Sequence, residues 1–281
     1  MPEAIAPSPP PPAPPAATIK TLTMRQGSRL VMYHRRADSP EFWDSHWLTA
    51  PPRQCRTESV HHWFRPLFGR FLPRSGLIVE AGCGNGNVAR TLRGAGYTIE
   101  GLDFAPRIID ANLHLDPSGR YLVGDVRALP YSDNSLAGYL SLGVVEHFDD
   151  DSRATILAET ARVLRPGSAA IISVPYFSPL RRLHARQGGF APQPVPDDLA
   201  FYQIFMTALD LARQLRAAGL HPVATDAYDI YKGIKDTINH KPQLNFLRES
   251  SPAAARLIDN PPRKLRLYCG HMLMIAAVKP A

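Results

Sequence analysis

Cysteine is scarce in this chain. Three occur in 281 residues, Cys55, Cys83 and Cys269, scattered and without a CxxC spacing. That pattern argues against a disulfide framework or a structural zinc site, and it suits a reducing, cytoplasmic setting. No run of about 18 apolar residues occurs, so nothing reads as a membrane span. The opening stretch MPEAIAPSPPPP lacks both the basic start and the apolar run of a signal peptide. Lys and Arg are spread rather than massed in a stripe interleaved with aromatics, and no appended binding module is visible. There is therefore no firm sign of a nucleic-acid partner. The net charge of +7 still admits nucleic acid, acidic lipid or an anionic substrate, and it also fits plain solubility.

What is present begins with proline. Eight of the first fifteen residues are proline, and residues 1–38 read as a disordered tail and linker, polyproline-like at its start. Residues 39–281 read as one domain. SPEFWDSHW (39–47) and ESVHHWFRPLFGRFL (58–72) have helical spacing, and residues 39–75 are expected to form a helical lid. From residue 77 strands and helices alternate: LIVEAG, YTIEGLDF, RYLVGDV, SLAGYLSLG and SAAIISVP as strands, with helices between them. The helix DDDSRATILAETARVLRPG has acids at its start and Arg165-Pro166-Gly167 as a stop. A further helix is expected over 204–220, followed by strands in HPVATDAYDI and GHMLMIAAVKP. Residues 176–200 and 231–267 look like irregular insertions. This alternation predicts an α/β fold with a mostly parallel sheet and helices on both faces.

The stretch VEAGCGNGN (79–87) carries the chemistry. Gly82, Gly84 and Gly86 lie between an expected strand and helix, where an open α/β sheet binds its ligand. A phosphate loop is excluded, because no Gly-Lys-Ser/Thr follows. A dinucleotide fingerprint needs its third glycine at position 87, which is Asn87. Glu80 next to the glycines disfavours a pyrophosphate and favours a ligand bearing a cation.

VEAGCGNGN resembles the first motif of class I S-adenosylmethionine-dependent methyltransferases, and later motifs follow in order. Asp103 in EGLDF, Asp125 in VGDVRALPY, LSLGVVEHF and ARVLRPGSAAIISVP match them, most closely the branch around the quinone-biosynthesis methyltransferases. The resemblance covers residues 77–175 tightly and the closing strands loosely. It implies a Rossmann-like seven-stranded sheet with the last strand antiparallel, and S-adenosylmethionine as cofactor. It also implies cofactor contacts at Glu80, Gly82, Gly84, Gly86, Asp103, Phe104, Asp125, Val126 and Leu142, with Asp103 on the ribose hydroxyls and Asp125 on the adenine amino group. Taken alone, Asp103 also suits a cap for the helix at 105–115, and Asp125 a turn.

The reaction expected is methyl transfer to a small-molecule acceptor, aromatic or lipid-like, at oxygen. His147, after the fourth strand, is the candidate general base, although Glu146-His147 also suits a capping pair. No metal is expected, because Gly143 stands where some relatives place a further Glu. HHWFRPLFGRF leaves peripheral membrane contact open. A non-catalytic cofactor-binding module, a nucleic-acid or protein methyltransferase and a nucleotide-dependent oxidoreductase are the alternatives.

Overall fold

Apolar runs without alternation, such as Ile78–Ala81 with all four residues buried, belong in a sheet covered on both faces. In the computed structural model of the chain they do so. It describes residues 21–34, 67–238 and 241–281, together with Phe42, Trp43, His46 and Phe64. Ten strands are formed among these: β1 (Thr21–Gln26), β2 (Arg29–His34), β3 (Ile78–Ala81), β4 (Ile99–Asp103), β5 (Tyr121–Val123), β6 (Leu136–Leu142), β7 (Leu164–Pro175), β8 (Ala200–Phe205), β9 (His221–Tyr228) and β10 (Met272–Val278). The helices are α1 (Asn87–Gly94), α2 (Pro106–Leu115), α3 (Asp150–Val163), α4 (Pro179–Arg186), α5 (Ala208–Ala217), α6 (Ile230–Ile238), α7 (Lys241–Ser250), α8 (Pro252–Asp259) and α9 (Arg263–Cys269).

Seven strands make one sheet in the order β5-β4-β3-β6-β7-β10-β9. β3 pairs in parallel with β4 and β6, and β6 with β7. β10 slots antiparallel between β7 and β9. The Rossmann-like sheet and its antiparallel last strand are thus as the resemblance implies. From β3 the chain winds outward to β4 and β5, then returns to lay β6 on the other side of β3. The topological switch point therefore lies between the carboxyl ends of β3 and β6.

Each face of the sheet has its own core. Tyr139, Ile172, Leu273 and Ile275 pack with Ile156 and Leu157 of α3 and Leu211 and Leu215 of α5. Leu140, Ile171 and Met274 pack with Ala89 and Leu92 of α1 and with Leu67, Phe68 and Leu72. Helix boundaries follow local chemistry. The Asp149 side chain caps α3 by accepting from the Ser152 N–H. Thr207 and Asp210 form a reciprocal capping box at the start of α5.

Four expectations change. Residues 21–34, expected within the tail, form the hairpin β1–β2, which β8 completes as a three-stranded antiparallel sheet. Residues 1–20 and 35–38 lie outside the described residues. Helix α5 starts at Ala208 rather than 204, because Ala200–Phe205 is used as strand β8. Residues 230–238 and 241–269 hold helices α6–α9, where an irregular insertion is expected over 231–267. Within 39–75, Phe42, Trp43, His46, Phe64 and residues 67–71 are helical, residues 72–75 are not, and the rest lies outside the described residues.

Gly233 of α6 sits against the end of α9, where an added Cβ would lie 1.9 Å from the Cys269 carbonyl oxygen. Backbone cannot give way there as a flexible side chain would. Gly233→Ala is therefore expected to destabilise the fold by about 3 kcal/mol in urea titration; an unchanged midpoint would mean that α6 and α9 do not pack in this way.

Candidate active site

At the carboxyl end of β3 the chain bends through Gly82 to Gly86 into α1. Gly82 and Gly86 have φ of 76° and 65°, a region that side-chain-bearing residues rarely adopt. A Cβ on Gly82 would lie 2.3 Å from Val144 Cγ2, and one on Gly86 2.8 Å from the Tyr121 ring. Bare backbone is thus needed on both sides of the bend. Asp103, at the end of β4, holds it in place. Its Oδ2 accepts the Gly84 N–H at 2.8 Å and its Oδ1 the Ala105 N–H at 3.1 Å. Asn112 of α2 donates to the Gly84 carbonyl at 2.7 Å.

Glu80 occupies a different position from the one the sequence suggests. It is buried and turned away from the crevice, and its Oε2 accepts the Ala89 N–H of α1 at 2.8 Å. A carboxylate at a helix N-terminus satisfies an otherwise orphan amide. Burial pushes its pKa up to about 8; the Ala89 N–H opposes that shift, while nearby Asp103 adds to it. Gly84, Gly86 and Leu142 likewise shape the surroundings rather than the crevice wall.

The crevice opens at the switch point as a cavity of about 300 Å³. It is lined by Gly82, Asp103, Phe104, Asp125 and Val126, from β3 to β5 and the loops after them, and by Gly143, Val144, His147 and Phe148 after β6. Of the residues expected at the site, Gly82, Asp103, Phe104, Asp125, Val126 and His147 are thus brought together around one cavity. The Asp125 carboxylate is already engaged: Arg127 Nη2 lies 2.7 Å from Oδ2, the Arg127 N–H donates to Oδ1, and this pairing holds its pKa below the ordinary value.

Trp43 and Phe201 also line the cavity, from segments that the sequence reading did not resolve to individual residues. Phe201 and Tyr202 arrive on β8, whose run AFYQIF is rich in strand-forming aromatics, a signal that was available. His147 belongs to a short 3-10 turn, Val145–His147. Its ring stands 4.8 Å from Trp43 and 4.7 Å from Tyr202, edge-on to both. His147 Nδ1 lies 2.7 Å from the Tyr202 carbonyl oxygen. A carbonyl only accepts, so Nδ1 carries the proton and Nε2 the lone pair. Burial lowers the imidazole pKa to about 4, which keeps the ring neutral at pH 7. Glu146 Oε1 lies 4.0 Å from Nε2. Burial raises the Glu146 pKa to about 8, and among the described residues its Oε2 has no hydrogen-bond partner. The turn is clamped from behind by buried Arg153, which donates to the carbonyls of Val145 and Phe148 and to Gln214 of α5.

The electrostatics of this cavity limit what it can hold. Among the described residues, its walls present the carboxylates of Asp103, Asp125 and Asp149, against one guanidinium, Arg127, already committed to Asp125. A pyrophosphate would meet net negative charge. A long, nucleoside-like ligand with cationic character fits the acids together with the apolar Phe104 and Val126.

Comparison with known proteins agrees. Residues 79–172 match the family described as a methyltransferase domain. These residues are a methyltransferase domain. Its relatives include a malonyl-[acyl-carrier protein] O-methyltransferase of Serratia marcescens, 34% identical over 96 residues, covering 34% of this chain and 37% of the relative. A ubiquinone biosynthesis O-methyltransferase of Thiobacillus denitrificans is 29% identical over 151 residues, covering 51% and 63%. The chain thus spans less than two thirds of the length of either relative. Among solved structures, the 1,6-didemethyltoxoflavin-N1-methyltransferase of Burkholderia thailandensis superposes with a TM-score of 0.52 at 18% identity, over 92% of this chain and 100% of that one. At that identity the likeness speaks for the fold. The match of residues 79–172 runs from the middle of β3 into β7, so the glycine bend, Asp103, Asp125 and His147 all fall inside the methyltransferase domain.

The buried acid at position 80 sets a pH dependence. Its pKa is raised from 4.5 to about 8 in the folded chain. Between those values the folded state keeps a proton that the unfolded state releases, so stability falls as pH rises. His147 acts oppositely and only below its ordinary 6.5. Glu80→Gln keeps an acceptor for the Ala89 N–H but removes the titration. From pH 6.5 to 8 its unfolding free energy is expected to decline less steeply than that of the native chain, by on the order of 1 kcal/mol per pH unit. Parallel urea-derived curves for the two proteins would refute the buried, protonated carboxyl.

Proposed function

We propose that the protein transfers a methyl group from S-adenosylmethionine to a small-molecule acceptor, aromatic or lipid-like, at oxygen. The observation that carries this reading is the crevice itself. A glycine bend at the switch point, an acid-rich wall and a neutral histidine face one cavity. The O-methyltransferases among the relatives favour oxygen as the atom methylated.

In this reading Asp103 binds the ribose hydroxyls. Each of its oxygens accepts one backbone N–H, which fixes the carboxylate at the crevice wall. Asp125 takes the adenine amino group, sharing its carboxylate with Arg127, while Phe104 and Val126 supply apolar walls. Gly82 lets the ligand approach the backbone. Gly84, Gly86 and Leu142 shape that approach, and Glu80 anchors α1 behind it. S-adenosylmethionine, when bound, supplies a methyl group activated by its sulfonium. What remains for the protein is alignment and exclusion of water, to which Trp43 and Phe201 contribute as apolar lining of the cavity. His147 Nε2 accepts the proton that the acceptor hydroxyl loses as the carbon–oxygen bond forms.

Calorimetry with S-adenosylhomocysteine and with NADH tests the cofactor. Tight binding of the first is expected, and tight binding of NADH alone would overturn the reading. Asp103→Ala is expected to weaken S-adenosylhomocysteine binding by about 1.5–3 kcal/mol, since hydrogen bonds to a charged group are lost; an unchanged titration removes the ribose assignment.

Transfer of a tritiated methyl group into cell extract tests the chemistry. Absence of labelled product would point to a non-catalytic cofactor-binding module. In that assay His147→Ala is expected to lower turnover about 10²–10⁴-fold with little change in cofactor affinity. Equal losses in both would exclude it as the base.

A further inference from the structure

The chain's positive charge is not evenly placed. Residues 230–269, the span that carries α6–α9, hold eight Lys and Arg against three Asp and Glu, and so contribute five of the seven net charges. The same helices expose apolar side chains. Phe246 is 69% exposed, Leu247 50% and Leu257 49%, and Tyr268 is exposed as well. Leu244 on α7 and Ile258 on α8 are buried and turn these two helices' inner sides toward the protein. Phe246, two positions from Leu244, therefore projects from the opposite side of α7. An ion pair at 2.8 Å between Arg248 and Asp259 ties α7 to α8, and Arg256, Arg263 and Lys264 are exposed around them. Glu249 and Asp259 are the exposed acids of these two helices.

Large apolar side chains aimed at solvent, among basic ones, are unfavourable in water and favourable at a negatively charged lipid surface. There the apolar groups enter the headgroup boundary while Lys and Arg meet anionic headgroups. The position of the unit fits this as well. It leaves the sheet at Tyr228 and rejoins it at Met272, and these two residues pair with each other. Met272 in turn pairs with Pro175. This is the carboxyl end of the sheet, the end that carries the crevice. Helix α4, packed against α6 and α9, adds exposed Arg182, Leu183 and Arg186.

We infer that the α6–α9 unit is a docking surface for an anionic lipid bilayer, with Phe246, Leu247 and Leu257 as its inserted groups. The surface acts independently of the chemistry in the crevice. It would bring the crevice end of the sheet to the membrane, where a lipid-like acceptor is met.

Co-sedimentation of the full chain with vesicles tests this. Vesicles of phosphatidylglycerol mixed with phosphatidylcholine are expected to carry the protein down, and pure phosphatidylcholine vesicles to carry down much less. Binding should weaken as salt is raised. Phe246→Ser combined with Leu247→Ser should lower the vesicle affinity by about ten-fold or more, whereas Leu209→Ser, exposed on α5, should leave it unchanged. Arg256→Glu with Lys264→Glu should weaken binding without touching the apolar groups. Circular dichroism melts of each variant separate loss of binding from loss of fold. The inference is overturned if anionic vesicles fail to carry down the native chain, or if the Phe246/Leu247 variant binds as well as the native one. It is equally overturned if that variant changes only the oligomeric state, which would make the face a contact between protein chains.

Discussion

The candidate site depends on one carboxylate. Asp103 ends a buried strand and takes two backbone amides, one from the glycine bend after β3 and one from the entry to α2. A buried amide without a partner is costly, as is a buried carboxylate without donors. Each therefore secures the other, and two loops from neighbouring strands are locked together at the switch point. The walls of the crevice inherit their positions from that lock. Glu80 repeats the device one layer deeper, joining β3 to the first turn of α1.

Much of this was legible because it is local. The central strands were visible as unbroken apolar runs, the α3 boundary as an acid cluster followed by Arg-Pro-Gly, and the bend as three glycines between strand and helix. The role suggested for Glu80 was read from proximity in sequence, and proximity does not fix the direction of a side chain. In a strand, successive side chains alternate between faces, and the face that Glu80 occupies leads to the helix terminus. The preference for a cationic ligand survives on other residues, since the crevice walls carry Asp103, Asp125 and Asp149.

What the sequence concealed is long-range. The β1–β2 hairpin becomes part of a sheet only by pairing with β8, about 170 residues later, as in Val31 opposite Ile204. Single-strand signals are weak until a partner is known. The same pairing delivers Phe201 to the crevice and Tyr202 to His147, whose tautomer the Tyr202 carbonyl fixes. The histidine was recognisable from its place after β6, but its protonation state depends on a strand from a different sheet. The α6–α9 unit was hidden for another reason: its prolines, glycine and charges suggest a loop, and only packing makes it helical.

The route of the chain through β9 and β10 has a wider implication. Because Tyr228 and Met272 are ladder neighbours, the whole stretch between them is a closed excursion that starts and finishes at one spot on the sheet. Closing such an excursion costs little more when it is long than when it is short. Its length and composition can thus drift without disturbing the registry of the strands or the acids of the crevice. An architecture of this kind separates where a protein works from what it works with, and lets lineages sharing the same catalytic floor acquire different addresses.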